Sequence, residues 1–263
     1  METPLPAGTR KISLRSLRSG ALVEETYAVF RGWDARRDEA ANLALVRAEN
    51  RVGARSNGWL GEVAATLSAR FPDAQAVAPL IVLARGGFPL ERWRDCLLWH
   101  VGQQDGLFND FLCDWLYPAY TTGHYRIGTA DVMPFVAERT AGRLKAGRSL
   151  SSENQERTAQ DLIRMAADFG LLRGRRPREF ASYRLSDDAF LYVLYALAAQ
   201  EPNARRLIEA WDWRLFLLAP EGVENELLRL HQFQRVHYQA AGSLATLQLP
   251  YPSLLAYAES LVS

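Results

Sequence analysis

The chain has 263 residues, of which 48% are hydrophobic and 23% charged, and its net charge is +1. This composition excludes a disordered chain and a small disulfide-stabilised domain, because it provides enough apolar residues for a large core. Two cysteines are too few for a disulfide framework and are typical of a reducing compartment. The longest apolar stretch, AFLYVLYALAA, has 11 residues, whereas a membrane span needs about 20. We therefore expect a cytoplasmic protein that makes no membrane contact.

The first 120 residues predict a domain of short helices. Apolar residues recur at helical spacing, and glycine or proline separates the segments. One helix begins near Trp59 and ends before Pro72, and Pro118 is expected to stop the last helix. The other predicted helices cover residues 19–30, 39–51, 90–101 and 107–117.

Residues 121–200 have the pattern of a winged helix-turn-helix domain. After a loop, Asp131 is expected to cap a helix at 132–143. Ser152, with Gln155 three positions later, has the spacing of a capping box at the start of a longer helix. A basic segment punctuated by glycine and proline follows, and an apolar helix ends the domain. Helix, turn, longer helix and basic hairpin is the order of a winged helix-turn-helix.

Residues 201–263 predict a C-terminal extension. A helical pattern covers 223–233, and β-like segments lie near 236–238 and 244–249. The expected fold is therefore mainly α: a helical bundle, a winged helix-turn-helix with a small β wing, and a smaller C-terminal α/β extension. The predicted domains are 1–120, 121–200 and 201–263. The pattern does not indicate an oligomeric state.

Positive charge is concentrated in one segment of the chain. Residues 139–184 contain eleven basic and five acidic residues, a net charge of +6, and the remainder of the chain therefore sums to −5. Four of the arginines lie in RGRRPR at 173–178, the predicted wing. A basic patch on a nearly neutral protein is typical of a surface that contacts phosphate.

The predicted longer helix has two faces. Its inner stripe is apolar, and its outer stripe and the wing carry groups that hydrogen-bond to bases and phosphates. Asp161 and Asp168 follow Arg157 and Arg164 by four residues, so these pairs also fit a structural face or a docking face for an acidic protein. The predicted nucleic-acid-binding residues are Arg148, Ser151, Ser152, Asn154, Gln155, Arg157, Thr158, Arg164, Arg173, Arg175, Arg176 and Arg178.

A second candidate surface lies at a predicted turn before the helix that contains Trp59. Its polar residues have the outline of another helix-turn-helix, although many helical bundles have such turns without binding a ligand. The residues are Arg51, Arg55, Ser56 and Asn57.

Catalytic and metal-binding signatures are absent from the sequence. There is no P-loop, dinucleotide-binding glycine motif, nucleophile elbow or zinc-protease motif. Cys96 and His100 share a helical face, but they lie in the apolar segment CLLWH with no third ligand evident, so core packing is the favoured interpretation. We therefore expect neither catalytic residues nor a metal or cofactor.

Three segments resemble the BrxA family of bacteriophage-exclusion (BREX) defence systems. They are RSGALVEETYAVF at 18–30, NLALVRAENRVGARS at 42–56 and RTAQDLIRMAADFGLL at 157–172. The resemblance implies a helical, non-enzymatic protein with a winged helix-turn-helix that binds double-stranded DNA. It also implies action beside methyltransferase, ATPase and phosphatase-like proteins. From this resemblance we assign a binding role only to residues 152–164 and to the arginines of the predicted wing.

The sequence thus favours a non-catalytic protein that binds double-stranded DNA with low sequence specificity in a defence system. Two alternatives remain open. The basic face could dock an acidic partner protein and make the chain an assembly adaptor. The chain could also bind RNA, since the family has been likened to an antitermination fold.

Overall fold

The computed structural model describes residues 12–54, 56–144, 149–242 and 244–263. The N-terminal part is helical, as predicted, and several of its helices are capped by a serine or aspartate side chain. In chain order the helices are α1 (Leu14–Ser19), α2 (Val23–Arg31), α3 (Glu39–Glu49), α4 (Asn57–Arg70), α5 (Ala78–Arg85) and α6 (Leu90–Gln104).

The helix that the sequence pattern predicted at 19–30 begins only at Val23, because the junction between α1 and α2 occupies residues 20–22. Gly20 has φ +79°, a left-handed conformation that glycine adopts without steric cost. Arg70 of α4, only 2% exposed, holds this junction from inside. Its guanidinium donates to the carbonyl oxygens of Gly20 and Ala21 at 2.9 Å and of Ser16 at 3.2 Å. Burial lowers the pKa of Arg70 to about 10, so the group stays charged at neutral pH.

A longer helical stretch follows and contains a π-helical turn. The turn, Phe111–Leu116, lies between α7 (Gly106–Asp110) and α8 (Tyr117–Thr121), with no interruption of helical backbone. The prediction that Pro118 would stop the helix at residue 117 is therefore wrong. Pro118 lies in the first turn of α8, directly after the π-helical turn, where the backbone departs from the regular i→i−4 hydrogen-bond pattern that a proline interrupts.

Two helices and three short strands form residues 126–180, the central part of the region that was predicted to be a winged domain. Strand β1 (Arg126–Ile127) leads to α9 (Thr129–Thr140) and α10 (Ser152–Asp168), and β2 (Leu172–Arg173) and β3 (Arg178–Phe180) follow. The strands are antiparallel in the order β1-β3-β2. We call residues 172–180 the basic hairpin. The hairpin turns at Gly174, which has φ +82°.

Both predicted helix starts in this region require correction. The N-cap of α10 is Ser151, whose hydroxyl accepts the N–H of Asn154 at 3.3 Å, and Ser152 is the first helical residue. Helix α9 begins at Thr129, three residues earlier than predicted. Asp131 still caps it, from inside the first turn, by accepting the N–H of Gly128 at 2.8 Å.

The remaining chain contains helices and one hairpin. The elements are α11 (Asp187–Ala198), α12 (Ala204–Ile208), a 3₁₀ helix (Trp211–Phe216), α13 (Pro220–Gln232), β4 (His237–Ala241), β5 (Leu244–Gln248) and α14 (Leu254–Ser260). Strands β4 and β5 pair antiparallel. The mainly-α fold with small β elements is thus confirmed.

One cluster of buried apolar side chains runs through all these parts. Helix α11 is buried on all sides and packs against α6, α14 packs on α5, and α1 packs on α10. His100 belongs to this core, where its Nε2 lies 2.8 Å from the hydroxyl of Tyr192 and burial lowers its pKa to about 3. The division into three domains stays a prediction. No helix in the described ranges combines the length and apolarity that a membrane span requires.

Candidate nucleic-acid interface

Helix α10 has the two faces that the sequence predicted. Its inner stripe is buried in the core and consists of Ala159, Leu162, Ile163 and Ala166, with Phe169 just past the helix end. This stripe fixes the rotation of α10 and thereby decides which polar residues can reach solvent. The two halves of the outer face differ in what lies beside them.

The first half of the outer face is open to solvent. Ser151, Ser152, Asn154 and Arg157 are all exposed. Arg157 makes no hydrogen bond or ion pair with another described residue, whereas the Asn154 amide donates to the hydroxyl of Ser151 at 3.0 Å. This end therefore presents a helix N-terminus, short polar side chains and a guanidinium to a ligand.

Two predicted binding residues of this half contribute to the fold. Thr158 is 6% exposed, and its hydroxyl donates to the carbonyl oxygen of Asn154 at 2.7 Å. The half-buried Gln155 donates from its side-chain amide to the carbonyl oxygen of Leu150 at 2.9 Å. We therefore remove Thr158 from the candidate interface and assign Gln155 to the support of the helix start.

The second half of the outer face is covered by the α1–α2 junction. The Arg164 guanidinium donates to the carbonyl oxygens of Leu17 and Arg18 at 3.3 and 2.8 Å. It also pairs with Asp161 at 2.9 Å, and the carboxylate of Asp168 accepts the N–H of Ala21 at 3.3 Å. The expected pairing of Arg164 with Asp168 is replaced by these contacts, because α1 lies close enough to compete for both side chains.

The acidic side chains of this half are partly desolvated. Burial raises the pKa of Asp161, and the neighbouring guanidinium groups of Arg164 and Arg157 oppose that shift. Burial likewise raises the pKa of Asp168, against the hydrogen bond from Ala21. Both carboxylates point toward groups of the protein, which reduces the repulsion that they would exert on a phosphate.

The arginines of the basic hairpin divide into two pairs. Arg173 and Arg175 are exposed and make no hydrogen bond or ion pair within the described part of the chain. Arg176 donates to the side-chain oxygen of Gln160 on α10 at 3.1 Å, and Arg178 donates to the carbonyl oxygen of Gly174 at 2.9 Å. The second pair is therefore held in place, whereas the first pair extends into solvent.

A cavity lies between α10, the basic hairpin and the start of α9. Its volume is about 580 Å³. Four guanidinium groups line it, together with one carboxylate and the first turn of α9; the charged lining residues are Arg157, Arg164, Arg176, Arg178 and Asp161. We call this space the arginine cavity. Sequence reasoning missed Gln160 and residues 128–130 of its wall, although the spacing of Gly128 and Asp131 marks a helix start.

The positive charge of residues 139–184 is divided among different faces of the molecule. Arg139 and Arg143 pair with Asp110, which is 1% exposed, and Arg139 also pairs with Asp114. These arginines neutralise buried carboxylates and add little field at the surface. The charge that remains for a ligand lies on the basic hairpin and the open half of α10. Arg148, another predicted site residue, lies outside the described residues.

The second candidate surface, at the turn between α3 and α4, has fewer groups for a ligand. Ser56 is the N-cap of α4 and accepts the N–H of Trp59 at 3.2 Å. Arg51 pairs with Glu49 and donates to the carbonyl oxygen of Gly32. Asn57 is exposed, and Arg55 lies outside the described residues. Binding at this turn stays a prediction.

The comparison with known families shows to which family the chain belongs. The family model described as BrxA matches residues 12–194. The chain belongs to the BrxA family. The match begins just before α1 and ends within α11, so it includes α10, the basic hairpin and the arginine cavity, whereas residues 195–263 lie beyond it. No curated protein and no solved structure matches the chain.

Proposed function

We propose that this BrxA-family protein binds double-stranded DNA through the open half of α10 and the basic hairpin, with low sequence specificity and without catalysis. Membership of the family implies a component of a BREX phage-defence system. The proposal includes three further statements: the protein binds DNA, it catalyses no reaction, and it is located in the cytoplasm.

The order and pairing of the elements support this function. Strand β1, helices α9 and α10 and the hairpin β2–β3 follow one another in the order expected of a winged helix-turn-helix, and on this basis we propose that α10 acts as the recognition helix. The observation that carries the proposal is that Arg157, in the open half of α10, lines the same cavity as Arg176 and Arg178 of the basic hairpin, while Arg176 also donates to Gln160 of α10.

The chemistry of this surface predicts how DNA would bind. The open end of α10 would enter the major groove, and the basic hairpin would contact the phosphate backbone. Arginine–phosphate contacts provide affinity without reading sequence. Of the exposed side chains, Asn154 has the groups that pair with an adenine edge, yet its amide already bonds to Ser151. Low sequence specificity follows from this shortage of base-directed groups.

A salt titration of DNA binding tests the proposal. We expect the triple substitution Arg175→Ala, Arg176→Ala and Arg178→Ala to weaken binding to every duplex alike and to lower the salt slope by about 2–3 units, since each lost phosphate contact contributes about 0.9. The matched control removes equal charge in other segments: Arg36, Arg37 and Arg206 to Ala. Fluorescence anisotropy at several salt concentrations gives the slopes.

The DNA titration, together with competition by RNA and a measurement of partner binding, separates the alternatives. If the triple variant and its control bind duplex DNA equally, the interface is located elsewhere and the proposal fails. If structured RNA displaces labelled duplex DNA at a much lower concentration than unlabelled duplex DNA does at the same salt, the RNA-binding alternative replaces the proposed DNA-binding function. If the triple variant keeps its DNA affinity but loses an acidic protein partner in a purified mixture, the adaptor alternative is favoured.

A further inference from the structure

We propose that the arginine cavity is a phosphate-binding site that receives one phosphate group together with its attached sugar. The phosphate could belong to a DNA strand or to a free nucleotide, and the chemistry at the site is the same. The DNA source rests on the proposed function, whereas the free-nucleotide source does not depend on it.

The charge balance of the lining favours a dianion. Four arginines face the cavity against one aspartate. Asp161 is already paired with Arg164 at 2.9 Å, so the carboxylate presents less negative charge to a ligand. The other three guanidinium groups form no salt bridge with a carboxylate among the described residues, although Arg157 lies near enough to Asp161, and Arg178 near enough to Asp168, to oppose the rise in the pKa of those carboxyl groups. Phosphate fits such a set because guanidinium groups can bind its oxygens through paired N–H donors.

Two of the arginines that line the cavity already make hydrogen bonds within the protein. Arg176 is bonded to Gln160, and Arg178 is bonded to the carbonyl oxygen of Gly174. A guanidinium has five N–H donors, and each of these contacts occupies one nitrogen. Since each of these contacts restricts its arginine before a ligand binds, binding costs less side-chain entropy than it would at an arginine without such a contact.

The first turn of α9 also lines the cavity. Residues 128–130 line the cavity at the N-terminus of a 12-residue helix, where backbone N–H groups and the helix dipole favour an anion. Asp131 already uses the N–H of Gly128. The helix start therefore adds to the attraction of the arginines without being its main source.

The size of the cavity indicates more than an inorganic ion. Its volume of about 580 Å³ lies in the range of about 300–1,000 Å³ that is typical of small-molecule sites. Apolar atoms from Ile127, Ile163 and Pro177 also line it, and these can pack against a sugar. A phosphate ester thus fits the lining better than a bare phosphate.

Two adjacent arginines provide a matched test. Arg176 lines the cavity and Arg175 does not, yet both are exposed and both lie in the same turn. Affinities for adenosine 5′-monophosphate, adenosine and a 20-base-pair duplex would be measured by calorimetry for Arg175→Ala and Arg176→Ala. Ala130→Glu adds a third variant, which places a carboxylate on the cavity wall at a helix start that tolerates acids.

We expect Arg176→Ala and Ala130→Glu to weaken binding of the probe that the cavity holds, the monophosphate or the duplex, about tenfold relative to the wild type. Arg175→Ala should leave the affinity for the monophosphate unchanged and, as a proposed backbone contact outside the cavity, weaken duplex binding less than these two variants do. Adenosine should bind none of the proteins measurably. An effect on the monophosphate identifies a free-nucleotide site, and an effect on the duplex alone identifies a strand phosphate. Equal affinities of Arg175→Ala, Arg176→Ala and Ala130→Glu for both probes would overturn the site.

The two proposals can fail separately. If the wild-type protein binds the monophosphate in the cavity but no duplex, the cavity site stands and the proposed function fails. If it binds the duplex and the variants are equivalent, the proposed function stands and the cavity site fails. Near-ultraviolet circular dichroism of each variant confirms that a lost affinity does not reflect a lost fold.

Discussion

The two halves of α10 carry the same kinds of residue on their outer face and use them differently. Arg157, in the first half, is exposed and unpaired among the described residues. Arg164, two turns later, has its side chain 43% exposed and bonded to the carbonyl oxygens of Leu17 and Arg18 and to Asp161. One half of the helix is available to a ligand, and the other half anchors the N-terminal helices.

The difference originates outside α10. Helix α1 and its junction with α2 lie against the second half, and the buried Arg70 holds the carbonyl oxygens of that junction. A substitution at Arg70 should therefore disturb the covered half, and substitutions on α10 itself should separate anchoring from binding. We expect the substitution at Arg70 to have the largest effect and the substitutions on α10 to have smaller ones.

The largest effect is expected for Arg70→Met. The change leaves three carbonyl oxygens of the α1–α2 junction without their donor in a buried site, and each such loss costs roughly 1–3 kcal/mol. We expect the free energy of unfolding to fall by about 3–5 kcal/mol, measured by urea denaturation. Hydrogen exchange should accelerate first in residues 14–22, and then in the second half of α10.

Arg206→Met is the control for Arg70→Met, since the Arg206 side chain is 76% exposed and its loss should change the stability by less than about 0.5 kcal/mol. Equal exchange rates in residues 14–22 of the Arg70 variant and the wild type would show that Arg70 does not hold the junction.

A smaller loss is expected for Arg164→Ala. This side chain is partly solvated, so water can replace some of its contacts with Leu17, Arg18 and Asp161. We expect thermal or urea unfolding to show a loss of about 1–2 kcal/mol. Duplex affinity should fall by less than about threefold, because the guanidinium of this arginine, although it lines the arginine cavity, is already bonded to two carbonyl oxygens and to Asp161. A large loss of affinity with unchanged stability would place Arg164 in the interface instead.

The opposite pattern is expected for Arg157→Ala. With no described partner to lose, the protein should keep its unfolding free energy within about 0.5 kcal/mol. Duplex affinity should fall about tenfold, equivalent to about 1.4 kcal/mol, and the salt slope should decrease by about 0.9. Anisotropy titrations at two salt concentrations measure both quantities. An unchanged affinity would remove the open half of α10 from the interface.

The smallest effect on binding is expected for Thr158→Val. The hydroxyl of Thr158 bonds within the helix, and valine keeps its shape, so duplex affinity should stay within about twofold of the wild type and stability within about 1 kcal/mol. Ser152→Ala, at the exposed first residue of the same helix, is the comparison variant. A tenfold loss with Thr158→Val would return this residue to the contact surface.

The sequence by itself determined the elements and the faces of this region. Apolar spacing at 159, 162, 163 and 166 identified the inner stripe of α10, because a buried stripe must recur with the helical period. The concentration of arginine at 173–178 and the glycine at 174 located the hairpin, since a left-handed turn favours glycine. The family resemblance rested on residues 18–30, 42–56 and 157–172 and agrees with the family match.

Other features depended on contacts between segments that are distant in sequence. Helical spacing placed Arg157 and Arg164 on one stripe, but only the packing of α1 shows that the second is covered. Likewise, the arginine cavity joins α9, α10 and β3, and the partners of Arg139 and Arg143 lie more than twenty residues away. Periodicity reports which side of a helix faces inward, whereas long-range packing decides which polar groups remain free for a ligand.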